Sequence, residues 1–594
     1  FVRAPGEGRG RHGTKGQIHI MPVDGGEARC VTDLPFGATD PRWLPDGRRL
    51  LAIAEFDLDA PTPEGTAARI DETKDDPSAF VTEDVWFRHW DTWLPARRRH
   101  HVVLVDVESE AVTNLTPRLT GRLDPMDASG QYDIAPDGRE IALTVFETNR
   151  QRVVRSRVLT MSIPAAGAKS QRAGAPKDRT PRGVASCDDA VYDPSGRWLV
   201  MGVRDDARRW STPTDVVAVD RRTGRAHPLT ERWDRSASSW RISEDGRHVL
   251  ILALTEGRTG LFRVPLPKRG TSAGRPRVTE VARGGAFSGL RASGRRCFVT
   301  ESTLQRPAEV VAIEGRERRA VTAFTAPWRR ELAMGRVEDV SFPGTNDVPV
   351  QMYLVHPPAG APRRTKRGKV PLVHLIHGGP HGVFGDEWHH RWNAQAIAAQ
   401  GYLVALVNFH GSVGWGRAFA DSIVGRWGDQ PFEDIMRATD WLIGRRHVDA
   451  GRMAATGGSY GGYMASWIAA RTDRFACIIN HAGVCDLQTQ FGSDLVQGWP
   501  ESSGGTVWDD RDGLDRWSPL RHAAGFRSPM LIIHGERDYR VPYIEALQIY
   551  NIYKLRNLPA RLVHYPDENH WILKPRNSVH WYGEFTGWLE RWMG

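Results

Sequence analysis

Long apolar runs alternate with segments of helical periodicity from about residue 331 to residue 594. The runs that we predict to be strands are residues 370–376, 402–408, 452–456, 475–480, 529–533 and 560–564. The segments that we predict to be helices are residues 432–444, 464–471, 541–555 and 578–592. Continuous apolar runs are typical of parallel strands that are buried on both faces. The alternation therefore predicts a doubly wound α/β domain over residues 331–594, with functional loops at the C-terminal ends of its strands.

Residues 1–330 have a different pattern, in which stretches of alternating apolar and polar residues flank a recurring Asp-Gly or Ser-Gly pair. Such a pair predicts a tight turn between two antiparallel strands. The turn glycines are Gly47, Gly138, Gly196, Gly246 and Gly294, and the last four follow one another at intervals of 58, 50 and 48 residues. Because each interval is about one propeller blade long, we expect a β-propeller with five or six recognisable blades.

The interval between Gly47 and Gly138 is 91 residues, so that either one blade carries an insertion or two blades are merged. The extra stretch includes residues 83–93, where acidic residues stand among aromatic ones. This segment is either a strand whose aromatic side chains pack between blades or a lip that holds a cationic group. A ring with too few blades would expose strand edges, and we therefore expect the propeller to lack N-terminal blades in this chain.

The most distinctive motif is Gly-Gly-Ser-Tyr-Gly-Gly at residues 457–462, between a predicted strand and a predicted helix. A Gly-x-Ser-x-Gly in this position predicts the nucleophile elbow of an α/β-hydrolase, with Ser459 as the nucleophile. A side chain at Gly457 or Gly461 would collide with the neighbouring strand or helix. The alternative is a turn whose serine only caps the helix. We therefore predict a multidomain β plus α/β fold, a β-propeller followed by an α/β-hydrolase domain.

Two later strands lead to candidates for the rest of a catalytic triad. Asp538 follows the strand at 529–533 and His570 follows the strand at 560–564, which is the Ser, Asp, His order of α/β-hydrolases. His570 would accept the Ser459 proton, and Asp538 would orient the imidazole and stabilise its charged form. The rival candidates are the carboxylates of Glu536, Asp567 and Glu568 and, as a structural histidine, His534.

An oxyanion hole requires one N–H donor from the residue after the nucleophile and a second from an early loop. The first is the backbone N–H of Tyr460. The second is expected in His-Gly-Gly-Pro at residues 377–380, most simply the N–H of Gly379. The alternative for this segment is a plain turn that ends a strand.

Charge and composition change this interpretation little. The chain has 594 residues, a net charge of +9 and a pI near 9.4, which could indicate an anionic partner. Only nine of the 80 basic residues are lysines and the arginines are scattered among acids, so we expect a solvated basic surface and no nucleic-acid partner. Five unpatterned cysteines suggest neither a disulfide framework nor a metal site. No run is long enough to span a membrane, and neither the compartment nor homo-oligomerisation can be predicted.

Several motifs together resemble a known family. The repeated Pro-Asp-Gly turns, residues 377–380, the elbow, His-Gly-x-x-Asp-x-x-Val-Pro at 534–542 and Asn-His at 569–570 resemble the prolyl oligopeptidase family of serine peptidases. The closer segments, residues 88–93, 480–486 and 566–575, are similar to the dipeptidyl-peptidase V branch, which borders the acylaminoacyl peptidases. The resemblance implies release of dipeptides from short peptides, with an apolar or small residue before the scissile bond, and implies no cofactor and no metal.

An exopeptidase must also bind the substrate ammonium, for which an acid among aromatic rings is suited. The candidates are Glu83 and Asp91 in the extra propeller segment. The candidate walls of the pocket for the residue before the scissile bond are Tyr463, Val484, Phe491 and Trp499. Each of these four residues could equally be part of the core.

Two other functions remain open from the sequence. The same triad would serve an acylaminoacyl peptidase, an oligopeptidase or an esterase, which a blocked substrate amine distinguishes from a dipeptidyl peptidase. A non-enzymatic alternative is a propeller that acts as a binding platform on an inactive hydrolase. The complete Ser, Asp, His set argues against this alternative.

Overall fold

The computed structural model describes residues 1–3, 15–150, 153–168, 172–267, 276–362, 368–445, 448–495 and 498–594. Up to residue 320, its strands form consecutive antiparallel sheets. After residue 336, its strands belong to a single eight-stranded sheet.

The strands of the first half are short and follow one another closely. They are β1 (Val2–Arg3), β2 (Gln17–Ile20), β3 (Arg29–Cys30), β4 (Ala38–Trp43), β5 (Arg49–Asp57), β6 (Arg88–His89), β7 (Thr92–Trp93), β8 (Arg98–Asp106), β9 (Val112–Asn114), β10 (Tyr132–Ile134), β11 (Glu140–Thr148), β12 (Val154–Ser162), β13 (Lys177–Asp178), β14 (Ser186–Tyr192), β15 (Trp198–Arg204), β16 (Asp215–Asp220), β17 (Ala226–Pro228), β18 (Ala237–Ile242), β19 (His248–Thr255), β20 (Arg258–Pro265), β21 (Thr279–Arg283), β22 (Ala286–Ser293), β23 (Arg296–Thr303), β24 (Arg306–Glu314) and β25 (Glu317–Ala320). The helices here are α1 (Pro63–Thr73) and α2 (Ala326–Arg329).

These strands form one three-stranded sheet, β1-β2-β3, one two-stranded sheet, β6-β7, and five four-stranded sheets. The four-stranded sheets have the orders β4-β5-β8-β9, β10-β11-β12-β13, β14-β15-β16-β17, β18-β19-β20-β21 and β22-β23-β24-β25. Each of the five predicted turns joins the first two strands of a four-stranded sheet. Its glycine has a positive φ between 58° and 69°, which glycine adopts at no steric cost. The repeat of turn and hairpin is confirmed.

The long interval between Gly47 and Gly138 is an insertion within one sheet. Strands β5 and β8 pair directly, from Arg49 with Asp106 to Asp57 with Arg98, so the merging of two blades is wrong. The insertion contains α1, which the sequence reasoning did not predict, and the two-stranded hairpin β6-β7. Helix α1 begins after Thr62, whose side chain accepts a hydrogen bond from the Gly65 N–H.

The second half contains longer, more buried elements. Its strands are β26 (Val337–Pro343), β27 (Pro349–Val355), β28 (Val370–Ile376), β29 (Leu403–Asn408), β30 (Val448–Gly458), β31 (Cys477–His481), β32 (Met530–Gly535) and β33 (Ala560–Tyr565). Its helices are α3 (Ala394–Ala398), α4 (Arg417–Asp421), α5 (Gln430–Gly444), α6 (Tyr460–Arg471), α7 (Trp499–Ser503), α8 (Arg511–Trp517), α9 (Ile544–Leu555) and α10 (Pro575–Met593). Every strand and helix predicted for this half corresponds to one of these elements.

The eight-stranded sheet has the order β26-β27-β29-β28-β30-β31-β32-β33. Pairing is antiparallel from β26 to β29 and parallel from there to β33. One apolar core lies between the sheet and α5, α6 and α9, and a second lies between the opposite face and α3 and α10. The sheet is therefore covered on both faces, and the C-terminal ends of β28, β30, β32 and β33 lead into the loops that carry the candidate site.

Candidate active site

Ser459 is at the sharp turn between β30 and α6. Its backbone has φ 61° and ψ −124°, a left-handed conformation that non-glycine residues rarely adopt. A Cβ at Gly457 would lie 2.6 Å from the carbonyl carbon of Gly461, and one at Gly461 would lie 2.1 Å from the Ile376 oxygen of β28. The predicted need for glycine at both positions is confirmed. The turn leaves the Ser459 side chain partly exposed above the sheet.

Asp538 holds His570 from the loop after β32. The Nδ1–H of His570 donates to Asp538 Oδ2 at 2.6 Å. The other carboxylate oxygen accepts the backbone N–H groups of Arg540 and Val541 at 3.0 and 2.9 Å. Burial by itself would raise the pKa of Asp538, but the charge of His570 and hydrogen bonds from His534 and His570 hold it well below its usual range. The carboxylate is therefore ionised, and it fixes the tautomer in which Nε2 of His570 can accept a proton.

The rival carboxylates have other partners. Glu536 pairs with His564 at 3.1 Å on the surface, and Asp567 pairs with Lys574. Glu568 accepts the backbone N–H groups of Leu573 at 2.8 Å and Lys574 at 3.0 Å, the two residues before α10. Among the described residues, only Asp538 contacts His570 through a carboxylate.

His534, the candidate for a structural histidine, lies beside Asp538. Its Nε2 lies 2.9 Å from the Val541 carbonyl oxygen and 3.2 Å from Asp538 Oδ2. The side chain is buried beneath the loop after β32. This position agrees with the structural role that was considered for it, because it supports the loop that carries Asp538.

The loop after β28 approaches Ser459 from the opposite side. A Cβ at Gly378 would lie 3.3 Å from the Ser459 Cβ, a tight contact that shows how closely the loop approaches the serine. His377 holds the loop from below: its ring stacks on Phe409 at 4.1 Å, and its Nε2 lies 2.8 Å from the Ser412 hydroxyl. The N–H groups in the first turn of α6, beginning at Tyr460, have no acceptor inside the helix. Tyr460 and Gly379 line the same cavity as Ser459.

A cavity of about 370 Å³ lies above this arrangement, and its lining includes Ser459, Tyr460, Gly379 and His570. Val484 and Trp499, two of the four residues predicted for the substrate side-chain pocket, also line it. Trp427 joins them and packs edge-on against Trp499 at 4.9 Å. This apolar side of the cavity lies next to the elbow.

The other two predicted pocket residues are not among the described lining residues. Tyr463 is fully buried inside α6, and its hydroxyl donates to the Trp517 carbonyl oxygen at 2.8 Å. Phe491 packs against Trp508 at 6.1 Å. For both residues, the alternative of a packing role describes the structure better.

The predicted ammonium-binding acids also lie outside the described lining. Glu83 is exposed on the surface. Asp91 lies next to the cavity but is already bound, because its Oδ2 accepts the Asn569 side-chain amide at 2.7 Å and its Oδ1 accepts the Thr92 hydroxyl at 2.9 Å. Asp91 therefore supports the loop that carries His570.

The inserted hairpin docks on the hydrolase half through Trp90. The Trp90 N–H donates to Asp494 Oδ2 at 2.7 Å, and its carbonyl oxygen accepts the Tyr539 N–H at 2.9 Å. The Trp90 ring lies edge-on to His570 at 5.3 Å, and Arg540 lies 4.8 Å over it. Trp90 is the residue of the segment 83–93 that is found among the described lining residues, where it forms part of the cavity wall beside the imidazole.

Charged residues that the sequence reasoning did not single out also line the cavity: Glu387, Arg391 and Arg540. Arg540 is neutralised by Asp494, with Nε at 2.7 Å from Oδ1. Burial raises the pKa of Glu387, and burial lowers the pKa of Arg391 to about 10. Arg540 could have been noticed because it follows Asp538 by two residues. Glu387 and Arg391 lie in an irregular loop whose sequence carries no comparable signal.

Comparison with known proteins gives a match to one family for part of the chain. Residues 388–594 match the sequence profile of the prolyl oligopeptidase family. The protein is accordingly a serine peptidase.

This peptidase is 28% identical over 548 residues to dipeptidyl-peptidase 5 of Aspergillus fumigatus, a match that covers 87% of this chain and 74% of that protein. Among solved structures, the acylaminoacyl peptidase of Pyrococcus horikoshii matches with a TM-score of 0.77 and 21% identity, covering 97% of this chain and 85% of that one. A puromycin-hydrolysing peptidase of Mycobacterium tuberculosis matches with a TM-score of 0.69 and 18% identity, covering 97% and 83%. The two structural matches show a shared fold.

Metal binding, the state of the cysteines and membrane spanning were the remaining questions from the sequence. Within the described ranges, no three His, Cys, Asp or Glu side chains are grouped so that they could bind a metal ion. The five cysteines are free thiols, and Cys30 is the exposed one. In the part of the chain that the structure describes, no helix is both long and apolar enough to cross a bilayer.

Proposed function

We propose that this peptidase releases dipeptides from the N-termini of short peptides, with Ser459 as nucleophile, His570 as general base and acid, and Asp538 as its orienting carboxylate. Ser459 attacks the carbonyl of the second residue, and His570 accepts its proton and delivers it to the leaving amine. The backbone N–H groups of Tyr460 and Gly379 stabilise the oxyanion. The observation that carries the proposal is the 2.6 Å contact between His570 and Asp538 beside a cavity that Ser459 lines.

Cleavage after the second residue of the substrate is supported by the relatives named dipeptidyl-peptidase 5, to which most of the chain is similar. An apolar or small second residue suits the apolar side of the cavity, where Val484 and Trp499 lie. We also propose that residues 1–330 form a β-propeller domain and residues 331–594 the hydrolase domain. A propeller above the cavity would admit short or unfolded chains and exclude folded proteins.

The test of this function is a substrate panel. Dipeptidyl, aminoacyl and acyl-aminoacyl p-nitroanilides with the same residue before the scissile bond are compared by kcat/KM. We expect the free-amine dipeptidyl substrate to be the best of the three and its N-acetylated form to be much poorer. A preference for the acylated substrate would replace the proposal with an acylaminoacyl peptidase, and hydrolysis of simple esters alone would replace it with an esterase.

Glu387→Gln is expected to lower the preference for a free amine over an acetylated amine. A desolvated ammonium needs an anionic partner, and Glu387 is the carboxylate among the described lining residues. The measurement is the ratio of kcat/KM for the two dipeptidyl substrates. Glu83→Gln is the matched control, because Glu83 is not among the described residues that line the cavity. Asp91→Asn should lower both rates together through Asn569, and a changed ratio in Asp91→Asn alone would contradict the assignment to Glu387.

A further inference from the structure

Arg391 is a fixed cation beside the proposed base. It lines the cavity, and its guanidinium carbon lies 4.5 Å over the ring of Trp571, the residue that follows His570. The Arg391 backbone is held on both sides: its N–H donates to His389 Nδ1 at 3.2 Å, and its carbonyl oxygen accepts the Tyr582 hydroxyl at 3.1 Å. The position of this side chain is therefore defined by packing and backbone contacts, without help from an acid.

The guanidinium has no anionic partner within the part of the chain that the structure describes. None of the ion pairs there includes Arg391, and Glu387, the carboxylate among the described lining residues, does not act on its pKa. His389 cannot supply a charge, because burial and the neighbouring cations hold its pKa near 4 and leave it neutral. Desolvation is the main influence on Arg391 and lowers its pKa to about 10. A half-buried cation of this kind is costly unless a ligand brings the anion.

The location of Arg391 indicates which end of the substrate would bring that anion. His570 must face the amine that leaves, because it returns its proton to that nitrogen. Arg391 lies over Trp571, and Trp571 packs against Trp90, whose ring is edge-on to His570. Trp499 instead connects through Trp427 to Tyr460 of the elbow. Arg391 therefore belongs to the side where the leaving group lies.

We propose that Arg391 binds the C-terminal carboxylate of short peptide substrates, so that a tripeptide, whose leaving group is one free amino acid, is a preferred substrate class. The inference rests on the proposed cleavage of peptides at Ser459. A guanidinium matches a carboxylate with two parallel hydrogen bonds, which gives both affinity and direction. Each departing amino acid would carry its negative charge past Arg391 as it leaves the cavity.

The test compares a tripeptide with a free C-terminus and the same tripeptide as its amide. We expect the wild type to prefer the acid by about tenfold or more in kcat/KM, the size of a charge-assisted contact, with the difference mainly in KM. In Arg391→Gln the ratio should fall towards one, and Arg391→Lys should recover part of it. The matched control is Arg445→Gln, because Arg445 lies 3.8 Å over Trp441 outside the cavity. It should keep the wild-type ratio.

A binding measurement separates this inference from the proposed function. Calorimetric titration of Ser459→Ala with the tripeptide acid and amide requires no turnover. Tighter binding of the acid that disappears in Ser459→Ala/Arg391→Gln supports the inference even if the substrate panel rejects dipeptide release. Equal binding of acid and amide overturns it even if the panel succeeds. A preference that follows an acidic third side chain on the amide, in place of the terminal carboxylate, also overturns it.

Discussion

Ser459→Ala is expected to lower peptide turnover by about 10⁴-fold or more while leaving the fold intact. The hydroxyl is the proposed nucleophile, and its loss removes the acyl-enzyme route. The side chain contributes little to packing, because Ser459 is partly exposed and makes no capping hydrogen bond to α6. The measurements are kcat/KM with the best dipeptidyl p-nitroanilide and the thermal unfolding midpoint. The midpoint should stay within a few degrees of the wild-type value.

The same variant provides a chemical control for the position of the nucleophile. A fluorophosphonate should label the wild type at Ser459, and peptide mapping should find no label in Ser459→Ala. Ser195→Ala is a suitable comparison, because Ser195 lies in a turn of the first half, where its hydroxyl donates to Asp193 and accepts the Arg197 N–H. It should retain labelling and turnover. A label on another serine, or substantial activity in Ser459→Ala, would contradict the proposed nucleophile.

The strands of the eight-stranded sheet could be predicted because the signal for each strand lies in its own residues. A strand that is buried on both faces must be apolar throughout, and β28, β29 and β32 contain almost only such residues. The turns of the first half were equally accessible, since Asp-Gly favours a tight turn whatever lies around it. Helix α1 gave no such signal, because its residues are largely exposed and only Thr66 is buried.

The members of the triad follow from chain order, but the rest of the cavity does not. Asp538 and His570 come directly after strands of a predictable sheet, so their meeting at one edge is a consequence of topology. Tyr463 could not be assigned to pocket or core from periodicity, because ten of the twelve residues of α6 are buried and the helix has no polar face. Trp90 reaches His570 only through contacts between segments more than 400 residues apart.

The apparent ammonium site illustrates the same limit. Acids among aromatic residues at 83–93 predicted a binding site for the substrate ammonium. The pattern does not specify which way each side chain points. Asp91 points to Asn569, and the acid that lines the cavity is Glu387 of an irregular loop. An unpaired charged residue in a cavity can be recognised only when the structure shows which other charged residues form ion pairs.

Asp538→Asn is expected to lower kcat by about 10³-fold or more with little change in KM. The carboxylate is buried and accepts hydrogen bonds from the His570 Nδ1–H and from two backbone N–H groups. An amide of the same shape can present its NH₂ group to Nδ1, which favours the tautomer with the proton on Nε2. That tautomer cannot accept the Ser459 proton. His570→Ala should cost at least as much, because it removes the base itself.

The matched control is Glu536→Gln, a carboxamide substitution on the same loop two residues earlier. Glu536 is at the surface and pairs with His564, a contact of the kind that contributes about 1 kcal/mol or less. Turnover of Glu536→Gln should therefore stay within a few-fold of the wild type. If Glu536→Gln were as damaging as Asp538→Asn, the orienting carboxylate would be Glu536. If Asp538→Asn lost activity only together with its thermal unfolding midpoint, Asp538 would act through the stability of the loop after β32, and its proposed part in proton transfer would be wrong.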